Sequence, residues 1–193
     1  MGFLSNLFGK KEQQTCPICG SPMGFFSKTD LTDGAICDKC VAKVEPLLGS
    51  RLLSQMTVEG ARAVLAEEER KTAALVQSFG GAYPNLFRVD TAYPISPKAT
   101  EVGMARAKAM KDALAVQGKI LAGSFDKGTV KVIRNGQTFD AALIETVPFK
   151  AGESVEDVMA AHSYKGAVEA GQSAWLILAA GAAAENGDII GAE

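Results

Sequence analysis

No stretch of this chain holds the roughly 18–20 consecutive apolar residues that a membrane-spanning helix requires. Charge of either sign is not in excess: the formal net charge is −2 over 193 residues. The molecule as a whole therefore has no electrostatic pull toward nucleic acid or anionic lipid, and any such binding falls to a local patch. Histidine occurs once, at His162. With no nucleophile or second metal ligand to pair with it, it reads as a surface or helix-end residue. The patterns G-x4-G-K-[ST], G-x-G-x-x-G and G-x-S-x-G do not occur. A nucleotide phosphate cradle, a dinucleotide turn and a nucleophile elbow thus have no support in the sequence. The start, MGFLSNLFGKK, has too short an apolar run for a secretory signal, and its charges follow that run. Asn6 stands where a myristoylation signal has Ser or Thr. The expectation is a cytoplasmic protein. Phe3, Leu4, Leu7 and Phe8, ahead of Lys10 and Lys11, read as a loose lead-in, with a short amphipathic anchor as the alternative.

Cysteine is missing everywhere except residues 16–40, CPICGSPMGFFSKTDLTDGAICDKC. All four thiols of the chain lie there, as Cys16-x2-Cys19-x17-Cys37-x2-Cys40. Two C-x2-C pairs about 15–20 residues apart form the four-cysteine zinc pattern. A C-x2-C turn aims two sulfurs at one point, and Zn²⁺ takes four thiolates tetrahedrally. Gly20 follows Cys19 directly and lets the chain turn under the metal. Residues 24–28 are predicted to form a strand, Thr32-Asp33-Gly34 a turn, and Ala35 and Ile36 the return. Disulfides, a redox C-x-x-C and an iron–sulfur site compete with this reading. The doubled spacing favours zinc, held as a structural ion because four thiolates leave no open coordination position. A module this small draws most of its folding free energy from the metal, about 10–16 kcal/mol.

The run CPICG, GFFSKT, DG, CDKC resembles an N-terminal four-cysteine domain of uncharacterised bacterial proteins. The resemblance spans residues 14–48. It implies metal ligands at Cys16, Cys19, Cys37 and Cys40 and no catalytic chemistry.

Residues 41–48 are predicted as a short helix limited by Pro46 and Gly49. Residues 57–79 follow as a long helix, with Thr57 as N-cap and Gly80-Gly81 as stop. Val58, Ala61, Leu65, Thr72, Leu75, Val76 and Phe79 recur at helical spacing, and residues 67–71 supply a charged, solvated face. This helix is read as a connector. Further on, Phe87, Val89, Tyr93 and Ile95 alternate as in a strand, until Pro94 and Pro97 break the run. Residues 100–114 read as a helix whose Arg106, Lys108 and Lys111 lie away from Val102, Ala105 and Ala109. Asn135-Gly136 predicts a two-residue hairpin turn, since both positions take positive φ. Pairing Arg134 with Gln137 then sets Val132 opposite Phe139, Val130 opposite Ala141 and Lys131 opposite Asp140. Residues 154–162 read as a short helix opened by Ser154 and Asp157. Residues 173–180 read as a strand buried on both faces, with Trp175 in the core. Asn186-Gly187-Asp188 is a turn before a last strand at Ile189 and Ile190.

Short strands with glycine turns and no βαβ alternation predict a β-barrel or sandwich. The order GKILAGSFDKGTVKVI, ALIETV, AVEAGQSAWLIL, ENGDIIG is similar to the second domain of translation GTPases such as elongation factor Tu. Gly118, Gly123, Gly128, Ala170, Gly171, Leu176, Leu178, Gly187, Asp188 and Ile189 carry that similarity, which spans residues 87–191. It implies a contact-making barrel without GTP hydrolysis, with 100–114 and 150–166 as insertions.

The expected architecture is α+β: a zinc-ribbon-like module at 1–49, a helical connector at 50–82, and a mostly antiparallel β-barrel with short inserted helices at 83–193. No catalytic residue is assigned; Asp126, Asp140 and Glu145 read as strand and turn decoration. Three functions follow. The first is a non-enzymatic zinc-binding adaptor that binds a protein partner or itself. The second is an RNA- or ribosome-associated factor using Lys119, Lys127, Lys131, Arg134 and Lys150. The third is an unrecognised small-molecule enzyme or sensor at a barrel mouth. No signal for DNA is present.

Overall fold

The structure is a computed structural model, and it describes residues 14–24, 26–49, 51–95, 110–149 and 168–193. The chain divides into two compact units, Met1–Thr72 and Ala73–Glu193. The fold is α+β.

The first unit is built on a small antiparallel hairpin, β1 (Lys28–Asp30) and β2 (Ala35–Cys37), joined through Thr32-Asp33-Gly34. The first strand lies later than residues 24–28. The Gly24 N–H donates to Ser27 Oγ at 2.8 Å, which bends the chain there and delays the strand to Lys28. Helix α1 (Asp38–Val44) starts directly after β2, three residues before the predicted start at 41. A 3-10 turn, Glu45–Leu47, follows with Pro46 in its first turn, where a missing N–H does no harm. Helix α2 (Val58–Phe79) begins one residue after Thr57. Thr57 Oγ1 accepts from the Gly60 N–H at 2.9 Å, as an N-cap does. Asp33 Oδ1 accepts from the Val58 N–H at 2.7 Å, so the hairpin turn also caps this helix. Thr32 adds two bonds to the Met56 carbonyl, from its N–H and its hydroxyl. The core of this unit gathers Cys16, Cys37 and Cys40 with Met23, Leu31, Ile36, Val44, Leu48 and Ala61. Ala61 is fully buried, and Val58 and Leu65 pack beside it. The opening turns of α2 are thus part of the cysteine core.

The second unit is a closed six-stranded barrel in the order β3-β4-β7-β6-β5-β8, with every neighbouring pair antiparallel. Its strands are β3 (Asn85–Pro94), β4 (Leu114–Ala122), β5 (Gly128–Arg134), β6 (Gln137–Pro148), β7 (Ser173–Leu178) and β8 (Ile189–Ala192). Alternate residues point inward, and Phe87, Val116, Ile120, Val130, Val132, Leu143, Leu176 and Ile190 fill the interior. Gly118 leaves room inside for the Phe87 ring, which meets Phe125 edge-on at 6.1 Å. The outer face carries two apolar patches. On one, Leu75, Val76, Phe79 and Tyr83 lie against Leu86, Leu121, Ile133 and Ile189. On the other, Trp175 and Ile177 pack with Ile95, Met110, Ala113 and Val147. Trp175 is buried, as its apolar strand predicts, but on the outer side of the sheet and not inside the barrel.

The hairpin register matches the arithmetic of the sequence in each pair: Arg134↔Gln137, Val132↔Phe139, Lys131↔Asp140 and Val130↔Ala141. Asn135 and Gly136 take φ of 50° and 77°, and Lys131 forms an ion pair with Asp140. The helix expected over 100–114 is corrected at its end. Residues 110–112 form a turn with Asp112 at φ 60°, and Leu114 opens β4. That positive φ stops any helix, and the alternation from Leu114 onward favours a strand. Residues 100–109, the helix at 154–162 with His162, and Lys150 lie outside the described residues. Among the described residues no helix is long and apolar enough to cross a membrane.

Candidate metal centre

The first C-x2-C turn is closed by its own backbone. The Gly20 N–H donates to the Cys16 carbonyl at 2.8 Å, and the Cys16 N–H donates to the Ser21 carbonyl at 2.8 Å. Gly20 takes φ 71°, a region that side chains with a Cβ resist, so the glycine after Cys19 has a backbone reason. A bridge between Thr15 and Pro22 ties the two ends of this turn. Arg62 of α2 donates to the Pro17 carbonyl and pins the turn from its far side. The second pair sits where β2 passes into α1. Cys37 is the extended N-cap residue and Cys40 lies in the first helical turn.

These two turns bring all four sulfurs together, each within 4.8 Å of the others. Cys16 Sγ lies 3.7 Å from Cys40 Sγ, and Cys19 Sγ lies 3.5 Å from Cys37 Sγ. Four sulfurs at about 2.3 Å from one ion form a tetrahedron with edges of about 3.8 Å, close to these separations. A disulfide brings two sulfurs to about 2.05 Å, which neither pair approaches. Cys16, Cys37 and Cys40 are buried, and Cys19 is exposed. Among the described residues this is the one gathering of three or more His, Cys, Asp or Glu side chains.

The electrostatics also call for a cation. Burial pushes the Cys16 thiol up, but N–H donors from Cys37, Cys19 and Ile18 outweigh it and leave the thiol below its ordinary value. Cys19 is held at about 6, first by the Ser21 hydroxyl and N–H and then by Cys37. Cys40 is driven strongly upward by burial and by the three sulfurs around it. Hydrogen-bond donors favour thiolate at Cys16 and Cys19, while burial first and the neighbouring sulfurs second oppose it at Cys40. A metal ion removes that conflict, because a coordinating thiol is deprotonated outright. The soft, four-sulfur donor set fits zinc.

The remaining residues singled out by sequence do not gather. Asp140 is paired with Lys131 on the outer face of the β5–β6 hairpin. Glu145 is buried on the opposite part of β6, beside Ile177. Of the basic residues, Lys131 is held by Asp140, while Arg134 donates to Asp188 and Glu185. Sequence reasoning did not find this last cluster. Arg134 Nε and Nη2 reach Asp188 at 2.9 and 2.7 Å, Nη1 reaches Glu185 at 2.8 Å, and the Ala183 carbonyl takes a further bond at 3.3 Å. Asp188, 4% exposed, is thereby satisfied, and the end of β5 is clamped to the turn before β8. The partners lie 49 to 54 residues apart, and no local spacing reveals them.

Residues 14–63 match the profile of a family described as a domain of unknown function (DUF4428). That segment holds all four cysteines, β1, β2, α1 and the opening of α2. No protein with a curated description matches the chain. Among solved structures, the chain is similar to the S. cerevisiae Ski7 GTPase-like domain bound to GDP and inorganic phosphate, at 10% identity and a TM-score of 0.35. The alignment covers 64% of this chain and 27% of that one, so the chain spans about a quarter of that structure's length. The segment 14–63 is therefore similar to a family of unassigned function.

Proposed function

We propose that the protein is a non-enzymatic adaptor: a structural zinc module joined to a β-barrel that makes macromolecular contacts. Cys16, Cys19, Cys37 and Cys40 hold the ion. One observation carries the reading, the convergence of every thiol of the chain on a single point. Bound zinc supplies cross-linking there and no catalysis, since four thiolates fill its coordination. The chain's own residues do the rest. Gly20 and the Cys16 carbonyl shape the first turn, and Ala61 and Val44 share the core that buries Cys16, Cys37 and Cys40. A translation-factor-like role on RNA is the weaker reading, because Lys131 and Arg134 of the basic stripe are already matched by carboxylates.

The test is elemental analysis of the purified full chain, followed by calorimetry with and without a chelator. One zinc per chain is expected, and Cys37→Ser should abolish it. Chelation should remove one unfolding step and leave the barrel step in place. Absence of stoichiometric zinc overturns the metal reading. Turnover of a small-molecule substrate by the purified chain overturns the non-enzymatic one. A salt-sensitive shift with bulk RNA would restore the RNA reading.

A further inference from the structure

The four ligands are not equivalent. Cys16, Cys37 and Cys40 are 1%, 6% and 3% exposed, whereas Cys19 is open to solvent. The exposed sulfur also has a close neighbour, Cys37 Sγ at 3.5 Å, on the other C-x2-C turn. The chain holds no cysteine outside this cluster, so any resolving thiol must come from within it.

We propose that this centre is a peroxide-sensitive switch in which Cys19 is the entry point and Cys37 the resolving thiol. The inference rests on the zinc reading above. The Cys19 thiolate attacks the terminal oxygen of a hydroperoxide. An S–O bond forms, the O–O bond breaks, and the alkoxide or hydroxide leaves with the electron pair and takes a proton from water. Cys19 becomes a sulfenic acid, a poor metal ligand. Cys37 thiolate then attacks the Cys19 sulfur; the S–S bond forms, the S–O bond breaks, and hydroxide leaves as water. Two electrons have passed from the pair of sulfurs to the peroxide. The sulfurs need to close by about 1.5 Å to reach disulfide length. Cys16 and Cys40 alone would no longer supply a four-thiolate site for zinc, and the core around Ile36 and Val44 would lose its cross-link. A dithiol restores the site by exchange at the disulfide, becoming a disulfide itself.

Burial decides the order of events. A peroxide in water reaches Cys19 and not the other three, and oxidation follows thiolate character and access. Joining Cys19 to Cys37 takes one ligand from each turn, so neither turn keeps its pair.

The test uses zinc-loaded full-length protein treated with hydrogen peroxide. Released zinc is read with a chromophoric chelator. Disulfides are mapped after alkylation, denaturation and tryptic digestion. Cleavage after Lys11, Lys28, Lys39 and Lys43 puts Cys16 and Cys19 on residues 12–28, Cys37 on 29–39 and Cys40 on 40–43. The expected first product joins 12–28 to 29–39, with fragmentation placing the bond at Cys19, and its formation tracks zinc release. Dithiothreitol and added zinc should reverse both. Cys19→His keeps a four-ligand zinc set and removes the accessible thiol, so its release should be slower by about tenfold or more. Retention of zinc under peroxide by the wild-type chain overturns the switch. So does a first bond within either C-x2-C pair, or release without a disulfide. These outcomes are read on protein shown to carry zinc beforehand. A chain purified without zinc overturns the metal reading and this inference with it. Should Cys19→His fail to bind metal, the wild-type disulfide map still decides.

Discussion

Gly118→Ala is expected to destabilise the barrel far more than its single methyl suggests. Gly118 lies in β4, with its missing side chain directed into the barrel. A Cβ placed there comes 1.9 Å from the Arg88 carbonyl oxygen and 2.8 Å from two carbons of the Phe87 ring. Real Cβ atoms essentially never come closer than 3.0 Å, so both neighbours have to retreat. Neither is free to do so. The carbonyl is backbone of β3, beside the irregularity at Val89/Thr91, and Phe87 is fully buried against Phe125. Overpacking of this kind costs about 1–3 kcal/mol, and two rigid neighbours place this site at about 3 kcal/mol. For a unit of this size that is a fall of about 10 °C in the barrel's melting temperature. Calorimetry on the zinc-loaded chain reads it directly, with the step assigned to the metal module as an internal reference. Gly81→Ala is the control, since its Cβ meets nothing within 4 Å. It should stay within about 0.5 kcal/mol of the parent. If Gly118→Ala melts within about 2 °C of the parent, the packing argument for β3 and β4 is wrong.

Thr57→Ala and Asp33→Ala each remove one acceptor at the start of α2. Each should lower the stability of the cysteine module by about 1 kcal/mol, read as an earlier melt or faster loss of zinc to a chelator. Arg134→Met keeps the aliphatic stem but leaves buried Asp188 with the Glu185 N–H at 2.8 Å in place of a bidentate guanidinium. The barrel step should fall in temperature while zinc content stays unchanged, and an unchanged barrel step refutes the clamp. Acid should act mainly on the cysteine module. Without metal, the Ser21 hydroxyl and N–H hold Cys19 at about 6 against an ordinary 9.0. Its folded-state value is depressed, so its stabilisation is whole above pH about 9 and fades as pH falls through 6. Metal binding adds to that slope because the ligands must be deprotonated. Melting profiles between pH 8 and 5.5 should show the module weakening first.

Where local chemistry dictates geometry, the sequence was readable. Asn135-Gly136 defines its turn, the turn defines the register, and the register places Lys131 against Asp140. The cysteine spacing works in the same way, because two C-x2-C turns have few ways to meet. Features that depend on distant partners were hidden. The insertion of β7 between β4 and β6, and of β8 between β5 and β3, follows from barrel closure, which no window of ten residues encodes. Asp33 reads as a turn former in sequence, yet it also caps a helix that starts 25 residues later. The helix expected over 100–114 reaches too far, because its Ala- and Lys-rich run has helical propensity while Asp112 takes a left-handed conformation and Leu114 opens β4. Arg134 looked like one of several surface cations until Asp188, far along the chain, was brought beside it.

The barrel's closure limits how another molecule can recognise it. Open sheets offer a row of unpaired amides and carbonyls at the border, and an extended peptide can dock there as an extra strand. Here each of the six strands has a neighbour on both flanks. Where a strand is paired on both flanks, a partner at the barrel wall must therefore read side-chain shape and charge, whereas residues 137–141 of β6, paired with β5 alone, keep an open flank.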